Sequence, residues 1–217
     1  MAAIYTVHPQ NPQMRSLDEI ASALRRGAVM LYPSDTVYAI GCDLNAKSAV
    51  TRVRQLKQLA NDKPLTFLCE SLSDVAQYAR VDDSAYRFMK RLIPGPYTFL
   101  LPATKLVPRL VLNPKRKTTG LRVPDRVVCR ALIAALGNPI VSTSAYLPPE
   151  EPEEPSELPA MGTEKAVLFD RLDKHVDLIV DDGTEPGALT STIIDLTTGE
   201  PEIVRQGAGW EEVAVWI

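Results

Sequence analysis

Short apolar runs alternate along this chain with stretches of helical spacing. Ala28–Tyr32 is an apolar run too short for a helix, so it predicts a buried strand that Pro33 closes. Before it, Ile4–Val7 predicts an edge strand. Leu17, Ile20, Ala21 and Leu24 follow Ser16-x-x-Glu19 at helical spacing, which predicts a capping box and a helix ended by Gly27. After Gly41, the stripe Ala49, Val50, Val53 and Leu56 predicts a helix over Ala46–Leu59. Leu65–Cys69 reads as a strand, and Ser71 or Ser73 caps a short helix through Tyr78. Asp83–Ile93 is a helix stopped by Pro94-Gly95-Pro96, and Tyr97–Leu101 is a strand.

The second half continues the alternation. Lys105–Leu112 predicts a short helix interrupted by Pro108, and Asn113–Thr119 a basic loop. Gly120–Pro124 is a strand with Arg122 among apolar neighbours, a cation that needs an anionic partner from protein or ligand. Arg126–Leu136 is a helix with Gly137 as its C-cap, and Pro139–Thr143 another strand. Leu147–Pro159, LPPEEPEEPSELP, lacks the apolar residues of a core and is expected to be a mobile acidic loop over a cleft mouth. Thr163–Leu172 predicts a helix, and Leu178–Val180, Thr192–Leu196 and Glu202–Arg205 predict strands. Strands alternating with helices define an α/β (α+β) protein, and no repeat or boundary divides residues 1–217.

Composition narrows the class. The 217 residues are 45% hydrophobic and 24% charged, as in a globular protein with a full core. Cys42, Cys69 and Cys129 form no paired motif, which argues against a disulfide framework or a zinc site. No targeting segment or membrane-length apolar run is visible, so a cytoplasmic setting is expected. The net charge of −3 hides two opposed blocks. Arg87–Arg130 holds eleven Lys/Arg against one acid, and Leu147–Glu185 holds twelve acids against three bases.

Candidate chemistry gathers in three hydroxyl clusters. Ser34, Thr36 and Tyr38, with Asp35, follow the strand Ala28–Tyr32. Ser142, Thr143 and Ser144 follow another strand, and Ser191-Thr192 open a third. Open α/β sheets bind ligands beyond strand ends, although Pro-Ser-Asp is also ordinary turn chemistry. His8 and His175 have no partner motif, and neither a Walker phosphate loop nor G-x-G-x-x-G occurs. Any nucleotide must then be held by Lys, Arg and hydroxyl side chains.

The ordered motifs PSDTVYAIG, LKQLANDKPL, IPGPYTFLL, GLRVP, NPIVSTSAY, TSTIIDL and EIVRQGAG resemble the YrdC-like family, over about residues 17–209. That resemblance, nearest the YciO branch, implies a single domain: a twisted, open, mixed sheet flanked by helices, with a concave basic cleft. Family members make threonylcarbamoyl-adenylate from L-threonine, bicarbonate and ATP for tRNA modification. YciO proteins are described as nucleotide and double-stranded-RNA binders.

By motif, the resemblance places Lys57, Ser144 and Arg205 at the nucleotide. It places Ser34, Thr36, Tyr38, Arg122, Ser142 and Ser191 at threonine and carbamate. It implies no tightly bound cofactor and no metal beyond the magnesium of Mg-ATP. Double-stranded RNA or tRNA is the expected macromolecular partner, without DNA sequence reading, and Lys115, Arg116 and Lys117 are the candidate RNA contacts.

Departures from the family pattern divide the readings. Synthases carry Lys-x-Arg where this chain has Lys57-Gln58-Leu59, and Ser-x-Asn where it has Ser144-Ala145-Tyr146. One reading is a YciO-type binder with a degenerate synthase site. A second is a working synthase whose missing groups come from Arg54 or Lys63, and a third is a partner-binding module that keeps only the fold.

Overall fold

Four consecutive residues, Val29–Tyr32, are wholly buried and form strand β2, as their apolar run predicts. β2 turns back through Ser34–Tyr38 into β3 (Ala39–Asp43), which pairs antiparallel to it. The sequence reading missed β3, because small Ala39 and Gly41 break the expected bulky alternation; both its faces are buried. The computed structural model describes residues 1–60, 63–146 and 164–217. The acidic loop expected over Leu147–Pro159 lies outside those residues.

Among the described residues the strands form one ten-stranded mixed sheet. The other strands are β1 (Ala3–Thr6), β4 (Thr66–Leu68), β5 (Tyr97–Pro102), β6 (Thr118–Arg122) and β7 (Ile140–Ser144). They are joined by β8 (Leu178–Asp181), β9 (Thr192–Asp195) and β10 (Glu202–Arg205). The spatial order is β1-β8-β2-β3-β7-β4-β6-β5-β9-β10. β1 pairs parallel with β8, β4 with β6 and β5 with β9, while β3–β7, β4–β7, β5–β6 and β9–β10 are antiparallel. β1 and β10 are the largely exposed edges.

Helices cover the two faces unequally. On one face, α1 (Met14–Arg25) buries Leu17, Ile20, Ala21 and Leu24, and α5 (Val127–Leu136) buries Val128, Cys129, Leu132, Ile133 and Leu136. They pack on Met30, Tyr32, Ile140, Leu178 and Val180. Arg25 donates to the last-turn carbonyls of Ala135 and Leu136, so the two helices are locked end to end. The opposite face takes α2 (Lys47–Leu56), α3 (Leu72–Tyr78), α4 (Asp83–Leu92), α6 (Lys165–Leu172) and α7 (Trp210–Ala214). Val53, Val75, Met89, Leu172 and Val213 bury there.

Several local expectations meet their reasons here. Ser71 and Asp74 form a reciprocal capping box at α3, and Gly137 ends α5 at φ 79°. The Ser16–Glu19 box does not form: Gln13, three residues before Ser16, is the N-cap of α1, and Glu19 accepts from Arg15 instead. α2 stops at Leu56, because Gln58 takes a positive φ of 47°. Residues 105–112 make turns around Pro108 rather than a helix, and Thr118–Thr119 belong to β6, not to the basic loop. α7 was not read from the sequence; its five residues are too few for a periodic signal. No helix among the described residues is long and apolar enough to cross a membrane.

Candidate functional site

The part of the α1–α5 face beyond those helices is a cavity of about 350 Å³. Its floor comes from alternate positions on neighbouring strands: Ser142 and Ser144 on β7, Thr66 and Leu68 on β4, Gly120 and Arg122 on β6, Thr98 and Leu100 on β5. Period-two alternation puts each pair on one face. Ser34 and Thr36 close one side, Ser191 and Arg205 another, and Leu59 and Lys63 form a wall. The cavity thus gathers Ser34, Thr36, Arg122, Ser142, Ser144, Ser191 and Arg205, seven of the nine residues that the resemblance assigned to small ligands.

Arg122 is the electrostatic centre. Its side chain is 7% exposed and lies 2.5 Å from Asp35, itself 9% exposed. Nε donates to the Gly95 carbonyl and Nη1 to Thr36 Oγ1. The facing atoms of the Arg122–Asp35 contact lack hydrogen-bond geometry, so charge rather than direction holds this pair. The anionic partner that Arg122 needs therefore comes from the protein. Asp35 also accepts from the Asp125 amide, which ties the Ser34–Tyr38 turn to the chain entering α5.

Arg205 donates to the Ser191 carbonyl and to Ser191 Oγ, and Ser191 Oγ lies 2.8 Å from Thr98 Oγ1. Burial, and then the like charge of Arg122, lower the pKa of Arg205 from its ordinary value. Gly187 presses on the turn from outside: a Cβ there would stand 2.0 Å from the Thr36 carbonyl. Only glycine allows this approach, so the β8–β9 connection braces Thr36 directly.

The remaining candidates are not in the cavity lining. Tyr38 is buried on the opposite face, edge-on to Phe169, with its hydroxyl 3.5 Å from the Thr184 carbonyl. Burial, and then Asp181 and Asp182, raise its pKa. Lys57 donates to the carbonyls of Ser144 and Tyr146, and its ammonium sits 5.5 Å from the Tyr146 ring centre. Lys115, Arg116 and Lys117 are exposed in a turn held by Asn113, whose side chain accepts from the Lys115 and Arg116 amides. That turn adjoins the Thr118–Pro102 end of the β5–β6 pair, two register positions from the cavity-lining Gly120 and Leu100, but none of its three cations lines the cavity.

Sequence reasoning missed Thr66, Thr98 and Thr190 in the lining, whereas Lys63, offered as a replacement cation, does line the cavity. The strand alternation around Thr66 and Thr98 was the available signal. Arg54, offered as a replacement for a missing guanidinium, is spent: it donates to the carbonyls of Ala60, Lys63 and Leu110. It shapes the wall without reaching the cavity lining.

Lys57 carries a pH dependence. Burial, and then the like charge of Lys63, pull its pKa down to about 8 from 10.5. Between those values the unfolded chain holds more protons than the folded one, so this group makes stability rise with pH across that window. Lys57→Met is expected to flatten the rise. Urea unfolding from about pH 8 to about pH 10 checks it; an unchanged slope would contradict the assignment.

The fold and cavity define a class: mixed-sheet α/β proteins with a hydroxyl- and arginine-lined cavity on one sheet face. The chain belongs to the Sua5, YciO and YrdC family, described as telomere recombination, which matches residues 22–207. It is 41% identical to the uncharacterized protein YciO of Escherichia coli K12 over 209 residues, 96% of this chain and 97% of that one. The crystal structure of E. coli YciO superimposes with a TM-score of 0.85. The threonylcarbamoyl-AMP synthase of Bos taurus is 30% identical over 92% of this chain and 70% of its own length. P. abyssi Sua5 complexed with L-threonine is 26% identical, with a TM-score of 0.84 over the whole of this chain and 61% of that one.

Proposed function

We propose that this protein binds an adenine nucleotide and a small hydroxy amino acid in the cavity, as a YciO-branch member with a degenerate threonylcarbamoyl-AMP synthase site. One observation carries the reading. Leu59 occupies the cavity wall where the synthase pattern has arginine, and Lys57, which that pattern aims at phosphate, is itself outside the lining and bonded to the backbone carbonyls of Ser144 and Tyr146. Arg122 and the hydroxyls of Ser34, Thr36, Ser142 and Ser191 that would serve the amino acid remain in the lining, without Tyr38, while the cations for a triphosphate are reduced to Lys63 and a tethered Arg205. Phosphoryl and adenylyl chemistry rests on positioning and charge stabilisation, so a thinned clamp lowers turnover more than it lowers binding. Pyrophosphate release with L-threonine, bicarbonate and ATP is the test, with slow turnover expected.

The same reading assigns structured RNA to the basic turn. Lys115, Arg116 and Lys117 are exposed, and the sequence from Arg87 to Pro124 contains no Asp or Glu. Contacts of this kind are sequence-independent and release counterions, so binding is expected to be weak and salt-sensitive. Replacing all three by Ala is expected to lower affinity equally across RNA sequences and to flatten the salt slope by up to about three units. Fluorescence anisotropy at several salt concentrations measures this. A triple variant with the parent's affinity and slope would remove the turn from the binding surface.

A further inference from the structure

Ser142 lines the cavity from strand β7, and its hydroxyl oxygen lies 2.7 Å from Tyr32 Oη. Tyr32 stands on β2, with β3 between the two strands. Gly41 of β3 is the register partner of Ser142, and the phenol ring passes over it. A Cβ at Gly41 would stand 2.7 Å from Tyr32 Cε1 and 2.9 Å from the Val141 carbonyl. The glycine is thus the gap that lets a phenol on one strand reach a serine two strands away.

The direction of that hydrogen bond follows from counting protons. Tyr32 is fully buried, and Ser142 Oγ is its hydroxyl's one partner among the described residues. A buried phenol that has one acceptor within reach donates to it. Burial also raises the Tyr32 pKa, so the proton stays in place. Ser142 Oγ therefore accepts, and its own proton has no protein acceptor among the described residues.

Ser34 and Thr36 are the contrast. Ser34 donates its proton to the Val37 carbonyl and accepts from the Thr36 amide. The remaining Ser34–Thr36 contact, at 3.0 Å, then takes the Thr36 proton, and Thr36 Oγ1 accepts from Arg122. Both of these hydroxyl protons are consumed within the protein, and the Ser142 proton is not.

We propose that Tyr32 is a positioning residue that holds Ser142 as a one-way hydrogen-bond donor to an oxygen acceptor, a carboxylate or carbonyl, of the bound molecule. This rests on the reading of the cavity as an amino-acid site. Without Tyr32 Oη, the Ser142 hydroxyl is free to turn and no longer presents its proton in one direction.

The experiment is calorimetric titration of the full chain with L-threonine. Tyr32→Phe keeps the ring and is expected to weaken binding about three- to tenfold. Ser142→Ala is expected to weaken it at least as much, and the double variant no further than Ser142→Ala alone. Tyr32→Phe binding like the parent, or losses that multiply in the double variant, would overturn the proposal. If the parent itself fails to bind L-threonine, the amino-acid reading of the cavity fails. Urea unfolding of the same four proteins then judges the Tyr32–Ser142 pair. Losses of stability smaller together than their sum support a coupled pair, and fully additive losses overturn it.

Discussion

Leu59→Arg combined with Tyr146→Asn is expected to raise pyrophosphate release with L-threonine, bicarbonate and ATP by at least about tenfold. A charge-assisted hydrogen bond contributes roughly 1.5–3 kcal/mol, or about ten- to over a hundredfold when it acts in the transition state. Leu59 is half-buried in the cavity wall, so a guanidinium there meets the cavity rather than bulk solvent. Tyr146 holds its ring 5.5 Å from the Lys57 ammonium and presents no amide to a ligand. Asparagine removes that ring and leaves the Tyr146-position carbonyl that Lys57 uses. A double variant that folds and shows no gain would mean that these two departures do not limit turnover.

The second large effect is on stability. Asp35→Asn, which leaves the Arg122 charge uncompensated, is expected to destabilise the fold by about 3–5 kcal/mol. Both side chains are nearly sealed from water, at 7% and 9% exposure, so solvent does not screen the loss. Arg122 would keep only the Gly95 carbonyl and the Thr36 hydroxyl. Arg122→Met with Asp35→Leu is expected to recover most of the stability, because no buried charge remains. Equilibrium urea unfolding measures both variants. A loss under about 1 kcal/mol for Asp35→Asn would place the pair in a solvated setting, as at a surface.

Much of the sheet was legible because its strands are short apolar runs bounded by Pro or Gly. Ala28–Tyr32, Leu65–Cys69 and Tyr97–Leu101 each match a strand of the structure to within one residue at either end. Helix stripes were equally plain: Ala49, Val50 and Val53 all bury as α2. β3 escaped because its small residues serve a purpose that only the tertiary structure reveals, making room for Tyr32 and pairing both ways. The Pro108 segment looked helical by composition, yet its backbone serves Leu65 and Arg54 through the carbonyls of Val111 and Leu110.

The site was legible as hydroxyl clusters but not as geometry. Sequence order gave no sign that Tyr38 turns to the other face while Ser34 and Thr36 stay in the cavity: the three are successively two positions apart, a spacing that in a strand would keep them on one face. Nor did it show that Arg54 is consumed by three carbonyls or that Lys57 is bridged to the Ser144 segment. Those outcomes depend on loops packing across the sheet, which local pattern does not encode.

On the proposed function, the cavity keeps the amino-acid half of a synthase site and lacks part of the phosphate half. Steady-state pyrophosphate release by the parent protein, beside a synthase with intact Lys-x-Arg and Ser-x-Asn under the same conditions, tests it most directly. The expected result is a turnover number lower by about one to two orders of magnitude, the deficit that one missing charge-assisted contact produces. Turnover equal to that of the intact synthase would contradict the account and show that Lys63 and Arg205 supply the whole clamp.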